Sequence, residues 1–151
     1  MQKIIITGGT GLVGKRLSTL LEEKGYEVNI LCRDPKKPNE FKWNTKENYI
    51  DEKVFENATA IIHLAGAGVA DKRWTDDRKK EIIESRTKST QLIHSYLAKT
   101  NHQVKSFISA SAVGYYGDRG NEILTEGSSN GTGYLAEVCR LWEKEVEKIS
   151  T

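Results

Sequence analysis

The chain has 151 residues, 37% of them hydrophobic, enough for one domain that buries a core without disulfide or metal staples. Its 23 Lys and Arg against 21 Asp and Glu leave a net charge of +2, too balanced to point to a nucleic acid or an anionic membrane. No apolar run approaches the roughly 18 residues of a membrane span and Met1 leads directly into the first strand with no signal peptide, so a cytoplasmic setting is expected.

Ile4, Ile5 and Ile6 form a β-branched apolar run, as in a strand covered on both faces of a parallel sheet. Thr7-Gly8-Gly9-Thr10-Gly11-Leu12-Val13-Gly14 follows at once. A phosphate-bearing ligand needs a turn free of Cβ atoms, outward N–H groups and the positive end of a helix dipole. Gly8 would turn the chain, Gly11 would let a pyrophosphate approach, and Gly14 would let the helix lie close to the strand. A helix over 12–24 carries Val13, Leu17, Leu20 and Leu21 at helical spacing, with Gly25 just past its end.

A second strand over 27–32 stops at Arg33-Asp34-Pro35. The end of that strand, roughly 20 residues beyond the glycines, is where a dinucleotide's adenosine ribose belongs. A guanidinium there pairs with a 2′-phosphate, whereas a carboxylate would bind both ribose hydroxyls and repel it. Arg33 therefore favours NADP(H) over NAD(H), with neighbouring Asp34 as the counter-signal.

Residues 35–49 are polar and irregular, with Phe41 and Trp43 alternating as in a short strand, and Asp51 is a candidate cap for a short helix through residue 58. A strand over 60–64 leads into Ala65-Gly66-Ala67-Gly68, where a ligand or another backbone comes close; Leu64, Ala65 and Gly66 are the second cofactor-facing loop, unless this is simply a tight turn. Thr75 opens a long helix over 75–97 whose apolar stripe, Ile82, Ile83, Ile93, Tyr96 and Leu97, is interrupted by small Ser and Thr residues. A strand over 106–109 runs on through Ser111 to Gly117, and the last helix spans 132–149. This alternation predicts an α/β fold, a Rossmann-like parallel sheet with helices on both faces, over 1–151 as one dinucleotide-binding domain. Cys32 and Cys139 are too few for a zinc site, and His63, His94 and His102 lack metal-ligand spacing, so no metal is expected.

The glycine run, His63-Leu64-Ala65-Gly66 and Ser109-Ala110-Ser111-Ala112-Val113-Gly114-Tyr115-Tyr116-Gly117 resemble the extended short-chain dehydrogenase/reductases, the NAD-dependent epimerase/dehydratase family. Arg73-Trp74, Ser85-Arg86, Leu135-Ala136-Glu137-Val138-Cys139 and Trp142-Glu143 look like an atypical bacterial nucleotide-sugar epimerase-like branch. The resemblance implies a cofactor loop of Gly8, Thr10, Gly11, Leu12, Val13 and Gly14, and a hydride shuttle at a sugar carbon. It also implies a serine, matched by Ser111, that orients the substrate oxygen. A homodimer through the two longer helices is implied as well.

The family's proton carrier is a tyrosine four residues before a lysine, a spacing that lets the ammonium stabilise a phenolate. Tyr134 is the candidate here, but Val138 stands where the lysine belongs; sliding the register by one offers Leu135 with Cys139. Tyr134 is thus either catalytic or a core aromatic, Tyr115 and Tyr116 are alternative phenols, and Arg140, Arg119 or the oxidised nicotinamide would have to supply the missing charge. Family members carry a further substrate-binding region, so the chain is expected to be a truncated piece or a minimal cofactor module. The resulting expectation is an NADP(H)-binding domain of an oxidoreductase acting on a sugar nucleotide or related small molecule. The alternatives are a non-catalytic dinucleotide-binding module and a reductase without the tyrosine mechanism.

Overall fold

The computed structural model describes residues 2–150; the expectation about Met1 lies outside them. Six strands form one sheet: β1 (Lys3–Thr7), β2 (Glu27–Cys32), β3 (Glu40–Asn44), β4 (Tyr49–Ile50), β5 (Ala58–His63) and β6 (Ser106–Ser109), in spatial order β4-β3-β2-β1-β5-β6. All neighbours are parallel except β3 and β4, a short antiparallel pair in register Trp43 to Ile50. The helices are α1 (Leu12–Glu23), α2 (Asp76–Leu97) and α3 (Tyr134–Val146).

Strand alternation sorts the apolar residues onto two faces. Ile4, Ile6, Val28, Ile30 and Cys32 meet Leu17 and Leu21 of α1, while Ile5, Leu31 and Ile61 meet Leu92, Ile93 and Leu97 of α2. Helix α3 lies against α2 and buries Ala136, Val138, Cys139 and Trp142. The predicted sandwich of helices on both faces is therefore what the chain forms.

One expected irregular stretch and two local differences have physical causes. Between β2 and β3 there is no helix, because Pro35 and Pro38 exclude helical hydrogen bonding from so short a link. Asn39 closes that link instead, its side chain donating to the Val28 carbonyl at 3.1 Å. The short helix expected over 51–58 is a single 3-10 turn, Glu52–Phe55, capped by the Asp51 carboxylate through Lys53 N–H at 3.1 Å. The strand expected to run on to Gly117 leaves the sheet at Ser109 and coils into a 3-10 turn, Val113–Tyr116.

The interrupted stripe of α2 is filled from the sheet. Its Ser89 and Thr90 are buried against the wholly buried ring of His63 at the end of β5.

Candidate functional site

Parallel strands deliver their following loops to one edge of the sheet, and four such loops meet here: residues 8–11 after β1, 33–39 after β2, 64–68 after β5 and 110–117 after β6. Gly8 has φ +71°, a left-handed conformation that turns the chain out of β1. A Cβ on Gly14 would collide with the Gly8 carbonyl oxygen and stand 2.6 Å from Gly9 Cα. Gly14 thus serves the closure of the turn itself, beyond the helix–strand approach its spacing suggested. Gly11 is different: a Cβ there would meet only the Gly8 carbonyl oxygen, at 3.3 Å, so the space outside it is open.

Helix α1 begins at this turn with Gly11 as N-cap, no side chain capping its free N–H groups and no acidic residue in its first turn. Leu12 is 90% exposed and Val13 66% exposed beside it. An uncapped positive helix end flanked by bare apolar side chains suits an anionic group carrying an apolar body, and Thr10 stands in the same turn. These residues fit a dinucleotide's pyrophosphate.

Arg33 is exposed where β2 ends, and Asp34, the counter-signal, is engaged by Lys36 at 3.4 Å. A cleft of about 480 Å³ opens between α1 and the short β2–β3 link, walled by Thr10, Lys15, Lys37 and Glu40 among others. The cleft adds two ammonium groups to the neighbourhood of the predicted ribose position.

The loop after β5, the candidate second cofactor loop, is held against the glycine turn by one buried oxygen. Thr7 Oγ1 accepts the N–H groups of Leu64 and Ala65, each at 3.1 Å, and lies 2.7 Å from His63 Nδ1. With both lone pairs taken, the Thr7 hydrogen points to Nδ1, which leaves the imidazole hydrogen on Nε2. Ser89 and Thr90 complete the pattern: both hydroxyls donate to the Arg86 carbonyl, at 2.9 and 2.8 Å, and offer lone pairs to Nε2 at 3.1 and 3.2 Å. His63 is thus a neutral strut, and burial lowers its pKa to about 4. Gly8 sits so close to this loop that a Cβ would lie 2.9 Å from the Leu64 carbonyl carbon.

Ser111 is exposed beyond β6 and donates its hydrogen to the Glu143 carboxylate of α3. The α3 face turned to this segment carries Leu135 and Cys139, for a Cβ on Gly114 would meet Leu135 Cβ at 3.3 Å and Cys139 Sγ at 3.9 Å. Cys139 Sγ also donates to the Ala112 carbonyl at 3.7 Å. Tyr134 points elsewhere. Its phenol donates to the Lys79 carbonyl at 2.8 Å, its ring meets Trp74 edge-on at 5.2 Å, and burial pushes its pKa up. Those contacts tie α3 to the start of α2 and occupy the phenol's hydrogen.

The cations expected to replace a lysine are committed as well. Arg140 is bound by Glu137 and Arg119 by Glu122, each through two hydrogen bonds. The guanidinium that does reach this region is Arg86 of α2, which donates to the Ala67 carbonyl at 3.1 Å and lies 5.2 Å over the Trp142 ring. Sequence reasoning gave no site role to it, nor to Thr7, His63 and Glu143, although all four stand in the motifs that carry the resemblance. The i,i+3 spacing of Glu137 to Arg140 and of Arg119 to Glu122 was the available signal that those two arginines had partners.

Comparison with known proteins identifies the family of this fold. The model of the NAD dependent epimerase/dehydratase family matches residues 4–137. An epimerase family protein of Mycobacterium leprae is 32% identical over 93% of this chain, and one of Bacillus subtilis is 32% identical over 97%; the chain spans 45% and 50% of their lengths. Among solved structures, the nucleoside-diphosphate sugar epimerase of Corynebacterium glutamicum superposes with a TM-score of 0.82 at 39% identity, covering 97% of this chain and 30% of that one. A human epimerase family protein solved with NADPH has the same TM-score, 0.82, at 25% identity, covering 95% of this chain and 48% of that one. This chain belongs to the NAD dependent epimerase/dehydratase family and carries its NAD(P)-binding, Rossmann-like domain.

Proposed function

We propose that this domain binds NADP(H) in preference to NAD(H) and serves an epimerase/dehydratase-like oxidoreductase whose substrate is a sugar nucleotide or a related carbonyl or hydroxyl compound. The observation that carries the reading is the convergence of an uncapped, glycine-lined helix start with an exposed Arg33, unpaired among the described residues, on one sheet edge. The NADPH bound by the human relative and the likeness to the Corynebacterium nucleoside-diphosphate sugar epimerase support it.

Nicotinamide, when bound, supplies or takes hydride at the carbon that bears the substrate oxygen. The chain's own residues do the rest. The turn from Gly8 to Gly14 receives the pyrophosphate, Arg33 the 2′-phosphate, and Leu64, Ala65 and Gly66 line the opposite wall. Ser111 gives its hydrogen to Glu143, so its lone pairs are free to accept a substrate O–H. For Tyr134 to carry the proton, its phenol must first leave the Lys79 carbonyl.

Calorimetry with NADPH and NADH on this chain tests the cofactor reading, and tighter binding of NADH would overturn it. Turnover of NADPH with a panel of keto-sugars by a longer form of the chain, lost in Ser111→Ala, tests the chemistry. A non-catalytic module is favoured by one observation, the Leu135 and Cys139 face where a phenol and an ammonium would be needed. Binding without turnover in the longer form would select it.

A further inference from the structure

Arg86 is a half-buried guanidinium with no acidic partner among the described residues. Arg78 is paired with Asp71 and Glu81, Arg119 with Glu122 and Arg140 with Glu137, while Arg16, Arg33 and Arg73 are exposed and solvated. Taking a cation part-way out of water without a counter-charge costs free energy, so a site that keeps one in this state gains by receiving an anion.

The placement of the group is specific. Nη1 donates to the carbonyls of Ala67 at 3.1 Å and Ile82 at 3.0 Å, and the face of the guanidinium covers the Trp142 ring. A Cβ on Gly66 would come within 2.9 Å of Cζ, so the glycine of the cofactor loop is what lets the guanidinium lie flat on it. Neither Nε nor Nη2 makes a hydrogen bond to the described residues, and neither is among the fully enclosed polar atoms. Burial pulls the pKa of the group down, while the same charge lowers the thiol of Cys139 against the upward push of that thiol's own burial. Arg86 therefore stands among the loop after β5, the α3 face that carries Cys139 and, through the Cys139 contact to Ala112, the segment that carries Ser111.

We propose that Arg86, reaching in from α2 across Gly66, supplies the positive charge of this site and binds the oxygen of the substrate that becomes anionic, a carbonyl oxygen gaining charge or a hydroxyl losing its proton. The inference rests on the oxidoreductase reading above and names a residue for it. It places the cation on a different helix from the one where the Tyr-x-x-x-Lys pattern would put it. Its two free donors are a planar pair suited to one charged oxygen or two adjacent ones.

The test uses oxalate, whose adjacent charged oxygens imitate such a group, titrated into the chain at saturating NADP+ so that the glycine turn is occupied. Arg86→Gln keeps a donor for the Ala67 carbonyl and removes the charge; it should weaken oxalate by about tenfold, the scale of a charge-assisted pair. Arg86→Gln combined with Cys139→Lys returns a charge from α3 and should restore most of that loss, which a merely structural arginine would not permit. Should the double variant melt early, Arg86→Lys replaces it, with oxalate held to within about threefold of wild type because the charge is kept.

Wild-type chain that ignores oxalate, Arg86→Gln that binds it unchanged, or no recovery in a folded charge-restoring variant overturns the proposal. Nucleotide affinity is recorded in the same titrations. A wild-type chain that fails to bind NADP+ counts against the cofactor reading instead, and the oxalate comparison then proceeds in nucleotide-free protein.

Discussion

Gly14 of α1 lies directly on the carbonyl of Gly8, two glycines whose backbones touch where a side chain would have to stand. Gly11, between them, would press a Cβ on that carbonyl oxygen alone, at 3.3 Å. The two positions therefore answer differently to the same change. Gly14→Ala forces backbone against backbone and should destabilise the fold by about 3 kcal/mol, the upper part of the overpacking range. Gly11→Ala, whose methyl presses only on the Gly8 carbonyl oxygen, should cost no more than about 1 kcal/mol yet lower nucleotide affinity by about tenfold or more, because its methyl fills the space a pyrophosphate needs. Denaturation and calorimetry on both variants check this, and equal loss of stability in the two would contradict the assigned geometry.

Arg33 governs a preference, not binding as a whole. It is exposed and without an ion-pair partner among the described residues, so removing it should not disturb the fold. Arg33→Ala should weaken NADPH by roughly tenfold to a hundredfold, the worth of one to two charge-assisted hydrogen bonds, and leave NADH within about twofold. Titration of both nucleotides measures the ratio. If NADPH is unaffected while Lys15→Ala or Lys37→Ala weakens it, the phosphate lies in the cleft walled by those lysines instead.

The glycine turn, the alternation of strand and helix and the loop at Gly66 were legible because each depends on neighbours in sequence: a β-branched run, a glycine spacing, a strand ending in small residues. The coil between β2 and β3 was legible as irregular, and Pro35 and Pro38 explain why it stays so. What was not legible depends on partners far along the chain. His63 looked like an isolated histidine until Thr7, Ser89 and Thr90 surrounded it from two other elements. Tyr134 was the tyrosine available for the family's pattern, without its lysine, but one residue of helix turns a side chain by about 100°, enough to aim it at Lys79 and leave Leu135 and Cys139 on the face toward Gly114.

The Tyr134 phenol, donating to the Lys79 carbonyl, makes its own prediction. Tyr134→Phe keeps the ring against Trp74 and loses one hydrogen bond, so stability should fall by about 1 kcal/mol. A longer form of the chain that turns over NADPH should remain active in this variant if the phenol only anchors α3 to α2. Loss of activity with the melt otherwise unchanged would restore Tyr134 to proton transfer.

The His63 strut should make the fold sensitive to acid. The ring is surrounded by the hydroxyls of Thr7, Ser89 and Thr90 and by the rings of Trp43 and Phe107, none of which titrates in mild acid or can take up an added charge. Its folded pKa is about 4 against an ordinary value of 6.5, so the unfolded chain binds the proton first. The sign follows: this contribution is whole above pH 6.5, shrinks as pH falls, and is gone below about 4, a loss on the order of 3 kcal/mol. Urea midpoints taken from pH 7.5 to 4 should decline steeply in wild type and more gently in His63→Gln, which starts lower because it leaves part of the Thr7 network unmade. NADPH affinity of wild type should fall over the same interval, since protonated Nδ1 can no longer accept the Thr7 hydrogen and the oxygen that grips Leu64 and Ala65 must turn. Parallel slopes for the two proteins would show that other groups carry the acid response and that the imidazole is indifferent to its proton.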